Sequence, residues 1–290
     1  MKGFFRNSLL SFASLAKVLL LSKWFGALKL KERPVKTRCL IIGNGPSFAT
    51  TLQLHESSLE QYELVCVNGF VLSEYYVKIK PGFYIINASV FFQPDEKLSQ
   101  LYIDLRNNIF SKLEQDTSWK MNLMVPFMAK KSNAFKMLLQ KNKNILPLYF
   151  NQTPVEGFSG VSHALFAMKL GIPRPHNVLI PAIMNMIALH FKEISIVGAD
   201  HSWLAEISVN ENNEALVNQK HFYDESTSSP QKMQDYIARP RRLHEVIHKF
   251  YLSFKGYWDI KAYAAAKKVT IYNASEVSMI DAFDRKKLTR

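Results

Sequence analysis

Only two cysteines occur in the 290 residues, Cys39 and Cys66, and both lie inside apolar runs. A disulfide framework is therefore excluded, and the pair reads as small core residues of a reducing compartment. Long lysine or arginine blocks are also missing, although the net charge is +13. The cations are dispersed, with local groups at 29–36, 239–242 and 286–290. That distribution argues against nucleic acid and favours a nucleotide, another phosphorylated small molecule or an anionic membrane surface. No G-x-S-x-G is present, so a serine-hydrolase elbow is excluded. Asp200, His201, His221 and Asp224 match no zinc spacing, and no metal site is expected from them. No internal repeat stands out.

What is present is apolar bulk: hydrophobic residues make up 48% of the chain and aromatics 12%, enough for a well-buried core. The first thirty residues mix Phe4, Phe5, Leu9, Leu10, Phe12, Leu15 and Val18 through Leu21 with Arg6, Lys17 and Lys23. Lys17 interrupts a spanning helix, and no convincing cleavage site marks a secretory signal. Residues 1–33 are therefore read as an amphipathic helix that either lies on anionic lipid or docks on the protein body. The first of these placements makes the chain cytoplasmic and peripheral to the inner membrane.

After the Arg33-Pro34 break, strand signals at 38–42, 63–68, 83–87, 120–125, 145–150, 193–197 and 269–272 alternate with helical patterns. The helices fall at 99–113, 132–141, 159–170, 175–190 and 233–251. Such alternation, with unbroken apolar strands, predicts an α/β Rossmann-like, doubly wound and mainly parallel sheet with helices on both faces. Residues 34–290 would form this domain, with a polar lid inserted near 205–231. Five histidines (His163, His176, His190, His244 and His248) fall in helical patterns and read as surface or core groups.

Ligands of doubly wound sheets bind beyond the carboxyl ends of the strands. The first strand ends in Gly43-Asn44-Gly45-Pro46-Ser47, a glycine turn followed by a helix start and so a natural anion site. It is not a dinucleotide fingerprint, since Phe48 stands where a third glycine belongs. Other strand ends carry Asn68, Asn87 with Ser89, Asp200 with His201, and Asn273 with Ser275. One asparagine at a turn is ordinary. Four at related strand ends offer amides that suit ribose hydroxyls, base edges and phosphate oxygens.

The order Gly-Asn-Gly-Pro-Ser, then a strand-end Asn68, then Asn87-Ala88-Ser89-Val90-Phe91-Phe92 resembles the bacterial sialyltransferases of glycosyltransferase family 42. Residues 188–200, "ALHFKEISIVGAD", are similar to that family's helix-to-strand step before its lid. The MptE-like group shares the Gly-x-Gly-Pro-Ser opening. The family's arginine and small-residue turn have no match at 175–179, and His201-Ser202-Trp203 stands where it has a tyrosine.

That resemblance implies metal-independent transfer, without a cofactor, from a CMP-sugar donor to a glycan or lipid-linked glycan. Gly43, Asn44, Gly45 and Ser47 would face phosphate and ribose, while Asn68, Asn87, Ser89, Asp200, Asn273 and Ser275 would complete the nucleotide-sugar site. His221 in "QKHFYDES" falls at the place of the family's catalytic base, and Tyr223 or Tyr236 at that of its phosphate-binding tyrosines. Two rival readings remain at this level. One is an MptE-like, metal-dependent pyrophosphokinase or nucleotide-phosphate transferase; the other is a non-catalytic nucleotide-binding protein of envelope polysaccharide assembly.

Overall fold

A computed structural model of the chain describes residues 2–218, 220–222, 229–234 and 239–288. In chain order the elements are α1 (Lys2–Leu21), β1 (Arg38–Ile42), α2 (Ser47–His55), β2 (Glu63–Val67), α3 (Tyr75–Ile79) and β3 (Phe83–Ile85). They continue with α4 (Gln100–Asp116), β4 (Met121–Pro126), α5 (Asn133–Lys141), β5 (Ile145–Phe150), α6 (Ser159–Ala167), α7 (Leu179–Ala188) and β6 (Glu193–Val197). The chain closes with β7 (Ile207–Val209), β8 (Ala215–Val217), β9 (Gln231–Lys232), α8 (Leu243–Ala266), β10 (Thr270–Asn273) and β11 (Asp284–Arg285).

Eight strands form one sheet in the order β11-β10-β6-β1-β2-β3-β4-β5, and every pairing in it is parallel. The expected Rossmann-like α/β architecture is therefore present. Alternate side chains of each strand enter opposite cores, as the two-residue pleat requires. Cys39 and Ile41 of β1 join the core built with α6, α7 and α8, whereas Leu40 and Ile42 join that of α2, α4 and α5. Helix α7, "LIPAIMNMIA", is apolar on nearly all sides, which suits its burial beneath the sheet.

The chain runs outward from β1 to β5, then crosses back to place β6 on the other side of β1. The order reverses at this point, which opens a crevice beyond the carboxyl ends of β1 and β6.

Three segments depart from the sequence expectation. Helix α7 begins at Leu179 rather than at 175, because Pro173 and Pro175 hold the preceding residues extended. Helix α8 starts ten residues later than 233 and runs on to Ala266, since Pro240 blocks an earlier start. Its first turn is closed by Arg242 N–H donating to the Glu245 carboxylate at 2.8 Å. The inserted lid is not merely a polar loop: β7, β8 and β9 pair antiparallel. Ala215 and Val217 of that small sheet pack with Val246 and Phe250 of α8.

Candidate functional site

The glycine turn after β1 extends the ladder with β6 past the strand ends. Gly43 N–H donates to the Val197 carbonyl at 2.8 Å, and Gly45 N–H to that of Gly198 at 2.8 Å. Gly198 has φ +61, and a Cβ there would sit 2.6 Å from the Gly43 carbonyl oxygen. A Cβ on Gly43 would collide in turn with the Gly198 carbonyl. Both positions need glycine because two backbones meet, not because a ligand approaches. Gly43→Ala should cost about 1–3 kcal/mol, since the clash is with backbone. Urea unfolding would show a lower midpoint at an unchanged slope; parental stability in this variant would mean that the two loops can part cheaply.

The anion site anticipated at the start of α2 is already taken by the protein's own carboxylate. Ser47 N–H donates to Asp200 Oδ2 at 2.8 Å, and the Ser47 hydroxyl donates to Oδ1 at 2.5 Å. Asp200 thereby satisfies a helix N-terminus from the far side of the switch point. Gly45 is small for the same reason, because a Cβ would lie 2.5 Å from Asp200 Oδ1.

Above this floor lies a cleft of about 250 Å³ lined by residues 43–46, Val67, Asn68, 176–179, Asp200, His201 and Trp203, with Lys220, His221, Lys249 and Ser253. Asn44 carries a buried side-chain oxygen with no hydrogen-bond partner among the described residues. Asn68, held at φ +45, enters the same cleft. Of the other strand-end residues, Asp200 and His201 line it, whereas Asn87, Ser89, Asn273 and Ser275 do not. Asn87 is buried, donates to the Pro175 carbonyl at 3.2 Å and accepts from Gln152 Nε2 at 2.5 Å. Ser89 is exposed on a short 3-10 turn away from the cleft. Asn273 donates to Ser278 Oγ and the Ile280 carbonyl, while Ser275 Oγ accepts from Ala199 N–H at 3.1 Å. These last two close the β10 turn.

His221 lines the cleft, and its neighbour anchors it there. Phe222 N–H donates to the Asn44 carbonyl at 3.0 Å, and its ring packs against Phe48, Phe70 and Tyr75. Tyr223, Asp224 and Tyr236 lie outside the described residues. His201 is buried, with its Nε2 2.6 Å from the Tyr257 hydroxyl and its ring beside Trp203. Burial pushes its pKa down to about 3, so it is neutral at physiological pH.

Two cleft residues were not expected there: His176, read as a helical surface or core histidine, and Lys249. His176 is not helical but sits on the proline-rich approach to α7. Desolvation, then the nearby cations of Arg174 and Lys249, bring it down to about 4. Lys249 comes from α8, and its ammonium makes no hydrogen bond or ion pair with any described residue. Desolvation, then Arg241, lowers its pKa. Lys220, by contrast, is paired with Glu206 at 2.8 Å. Among the described residues the cleft is thus lined by two lysines and two histidines in addition to His201, and by one carboxylate, Asp200, which binds Ser47. Among the described residues no three His, Cys, Asp or Glu side chains converge as metal ligands would.

No protein-family model matches the chain, and no curated protein matches it in sequence. Among solved structures it is similar to the MAf glycosyltransferase from Magnetospirillum magneticum AMB-1, at a TM-score of 0.49 and 11% identity. The overlap covers 97% of this chain and 38% of that one, so this chain spans well under half the length of its structural neighbour.

Proposed function

We propose that this chain is a glycosyltransferase that binds a nucleotide-activated sugar in the switch-point cleft and passes the sugar to a glycan hydroxyl. The observation that carries this reading is a cleft rich in cations at the carboxyl ends of β1 and β6, with Lys249, which no described residue pairs, in its wall. Such a site attracts phosphate. Asn44 and Asn68 offer amides for the nucleoside, and Lys249 and Lys220 offer positive charge to the phosphate. His221 would take the proton from the acceptor hydroxyl as its oxygen bonds the anomeric carbon. The bond from that carbon to the phosphate oxygen breaks, its electron pair leaves with the nucleotide, and Lys249 balances the charge that develops. The resemblance to family 42 favours a CMP donor carrying sialic acid or a related acidic sugar.

Calorimetric titration of the purified chain with CMP, UMP, GMP and AMP tests the reading. CMP is expected to bind most tightly, and flat heats with all four would end the nucleotide assignment. Lys249→Gln should weaken the best ligand about tenfold or more, because a charge-assisted hydrogen bond contributes about 1.5–3 kcal/mol. Turnover that demands an added divalent cation would instead favour the pyrophosphokinase reading. Binding without turnover across activated sugars would favour a non-catalytic role.

A further inference from the structure

Helix α1 is built the wrong way round for a helix in water. Its small polar residues face the protein: Ser11 and Ser14 are buried, as is Ser22 just past its end. Ser11 Oγ accepts from Phe158 N–H at 2.9 Å. Ser14 Oγ donates to the Glu156 carbonyl and accepts from Glu156 N–H, both at 2.9 Å. Ser22 Oγ donates to the Leu170 carbonyl at 2.5 Å. Gly157, at φ +117, lets that loop lie flat on the helix, since a Cβ would fall 2.6 Å from Ser11 N. Among these polar contacts only Val18 supplies a fully buried apolar side chain from α1.

The opposite side is apolar and open. Phe5 is 73% exposed, Leu9 66%, Phe12 74%, Leu19 66% and Leu20 82%, and Trp24 and Phe25 continue the patch beyond the helix. Scattered exposed apolar residues are ordinary, but a continuous helix face of them marks an interaction surface. Arg6 and Lys17 stand eleven residues apart, close to three full turns, and so share one flank of this face. No acidic residue occurs anywhere in α1. Two copies paired across this face would bring their cations together with no carboxylate on either helix to balance them. An anionic lipid surface balances them directly. By length and composition, residues 3–21 could also cross a membrane. Crossing would pull Ser11 and Ser14 away from the Glu156–Phe158 loop and leave their partners unsatisfied.

We propose that α1 lies flat in the surface of an anionic bilayer, with Phe5, Leu9, Phe12 and Leu19 among the acyl chains and Arg6 and Lys17 at the headgroups. The serine side stays bound to the 153–158 loop, so the whole domain rides on the lipid through this helix. The placement is independent of the reaction the cleft performs.

The test is cosedimentation of the full chain with phosphatidylglycerol/phosphatidylcholine vesicles. Its comparison is a variant carrying Phe5→Ser, Leu9→Ser, Phe12→Ser and Leu19→Ser. These side chains touch water rather than the core, so the variant should unfold in urea at the parental midpoint. Its partitioning onto vesicles should fall tenfold or more. Parental binding should weaken as salt is raised from about 0.05 to about 0.5 M, where charges are screened within a few ångströms. Pure phosphatidylcholine should bind several-fold less. Parental protein that stays in the supernatant overturns the proposal, as does equal partitioning of the variant. So does a dimer in light scattering that the four substitutions abolish while neither protein binds vesicles. Resistance of the bound chain to alkaline carbonate would overturn the flat placement and make α1 a crossing helix.

Discussion

Replacing His221 with alanine should cut turnover of a nucleotide-sugar donor by about 10²–10⁴-fold, the usual contribution of a positioned general base. Affinity for the donor nucleotide should stay within about twofold, because in the proposed mechanism the base would act on the acceptor hydroxyl rather than on the donor. The expectation follows from where the side chain is held. Phe222, one residue on, is fixed through its N–H to the Asn44 carbonyl and through its ring to Phe48, Phe70 and Tyr75 at the edge of the core. His221 is thereby presented beside the loop assigned to the nucleotide. A structural role and a chemical one can be separated in the same experiment. Added imidazole should restore part of the lost rate if the missing group is a base, and none if the variant has merely let the lid drift. Wild-type turnover in His221→Ala would remove this residue from the mechanism, and the proton acceptor would have to be sought elsewhere in the cleft.

Stability should fall by on the order of 4 kcal/mol as pH drops from about 6.5 towards 3, through His201 alone. The folded protein holds this imidazole neutral, with a pKa pushed down to about 3 by burial. In the unfolded chain the same group protonates near ~6.5. Between those values the unfolded state binds the extra proton, so acid draws the equilibrium towards unfolding. The contribution is fully present above the unfolded value and is lost as pH falls towards the folded one. Around the ring are the Tyr257 hydroxyl, Trp203 and Phe254, none of which offers a charge to stabilise an imidazolium. Urea midpoints measured at a series of pH values would show the slope, and His201→Gln should flatten it. The slope isolates the titration from any general loss of stability in the variant. Glu156, whose carboxyl is held low by the Arg174 guanidinium against the opposing effect of burial, adds loss of the same sign at lower pH, and it should persist in that variant. An unchanged slope would mean that water reaches the ring.

The sheet was legible because its strands are buried on both faces. Runs such as "RCLII" and "EISIV" are apolar apart from the charged residue that opens each and the small, buried Ser195, and both strands end where the apolar pattern does. Helix α8 was misplaced because residues 233–242 look helical by composition, while Pro240 and the Arg242–Glu245 pairing set the real start. β11 spans two polar residues and exists only because β10 offers it a ladder. At the site, Asn44 and Asn68 reach the cleft, whereas Asn87 spends its amide on the distant Pro175 carbonyl and Asn273 spends its own on the Ile280 carbonyl within its own turn. A residue type at a strand end does not reveal which way its hydrogen bonds will be used. Lys249 left no trace at all, since it lies on a helix face among other dispersed cations and meets the cleft only through tertiary packing. The carboxylate that fills the start of α2 lies 153 residues from the serine it binds, and no local pattern joins them.

The Asp200–Ser47 pair has a bearing on how this cleft could diversify. It ties the loop after β6 to the start of α2, and the Gly43–Gly198 contact locks the same two loops through their backbones. The floor is therefore a single stiff piece in which any altered side chain must be accommodated on both strands at once. The roof hangs instead on the rings around Phe222 and on the face of α8 that carries Lys249, where one residue can change without moving a strand. Descendants of this chain with a different ligand in this cleft would be expected to keep the floor letter for letter and to rewrite the roof.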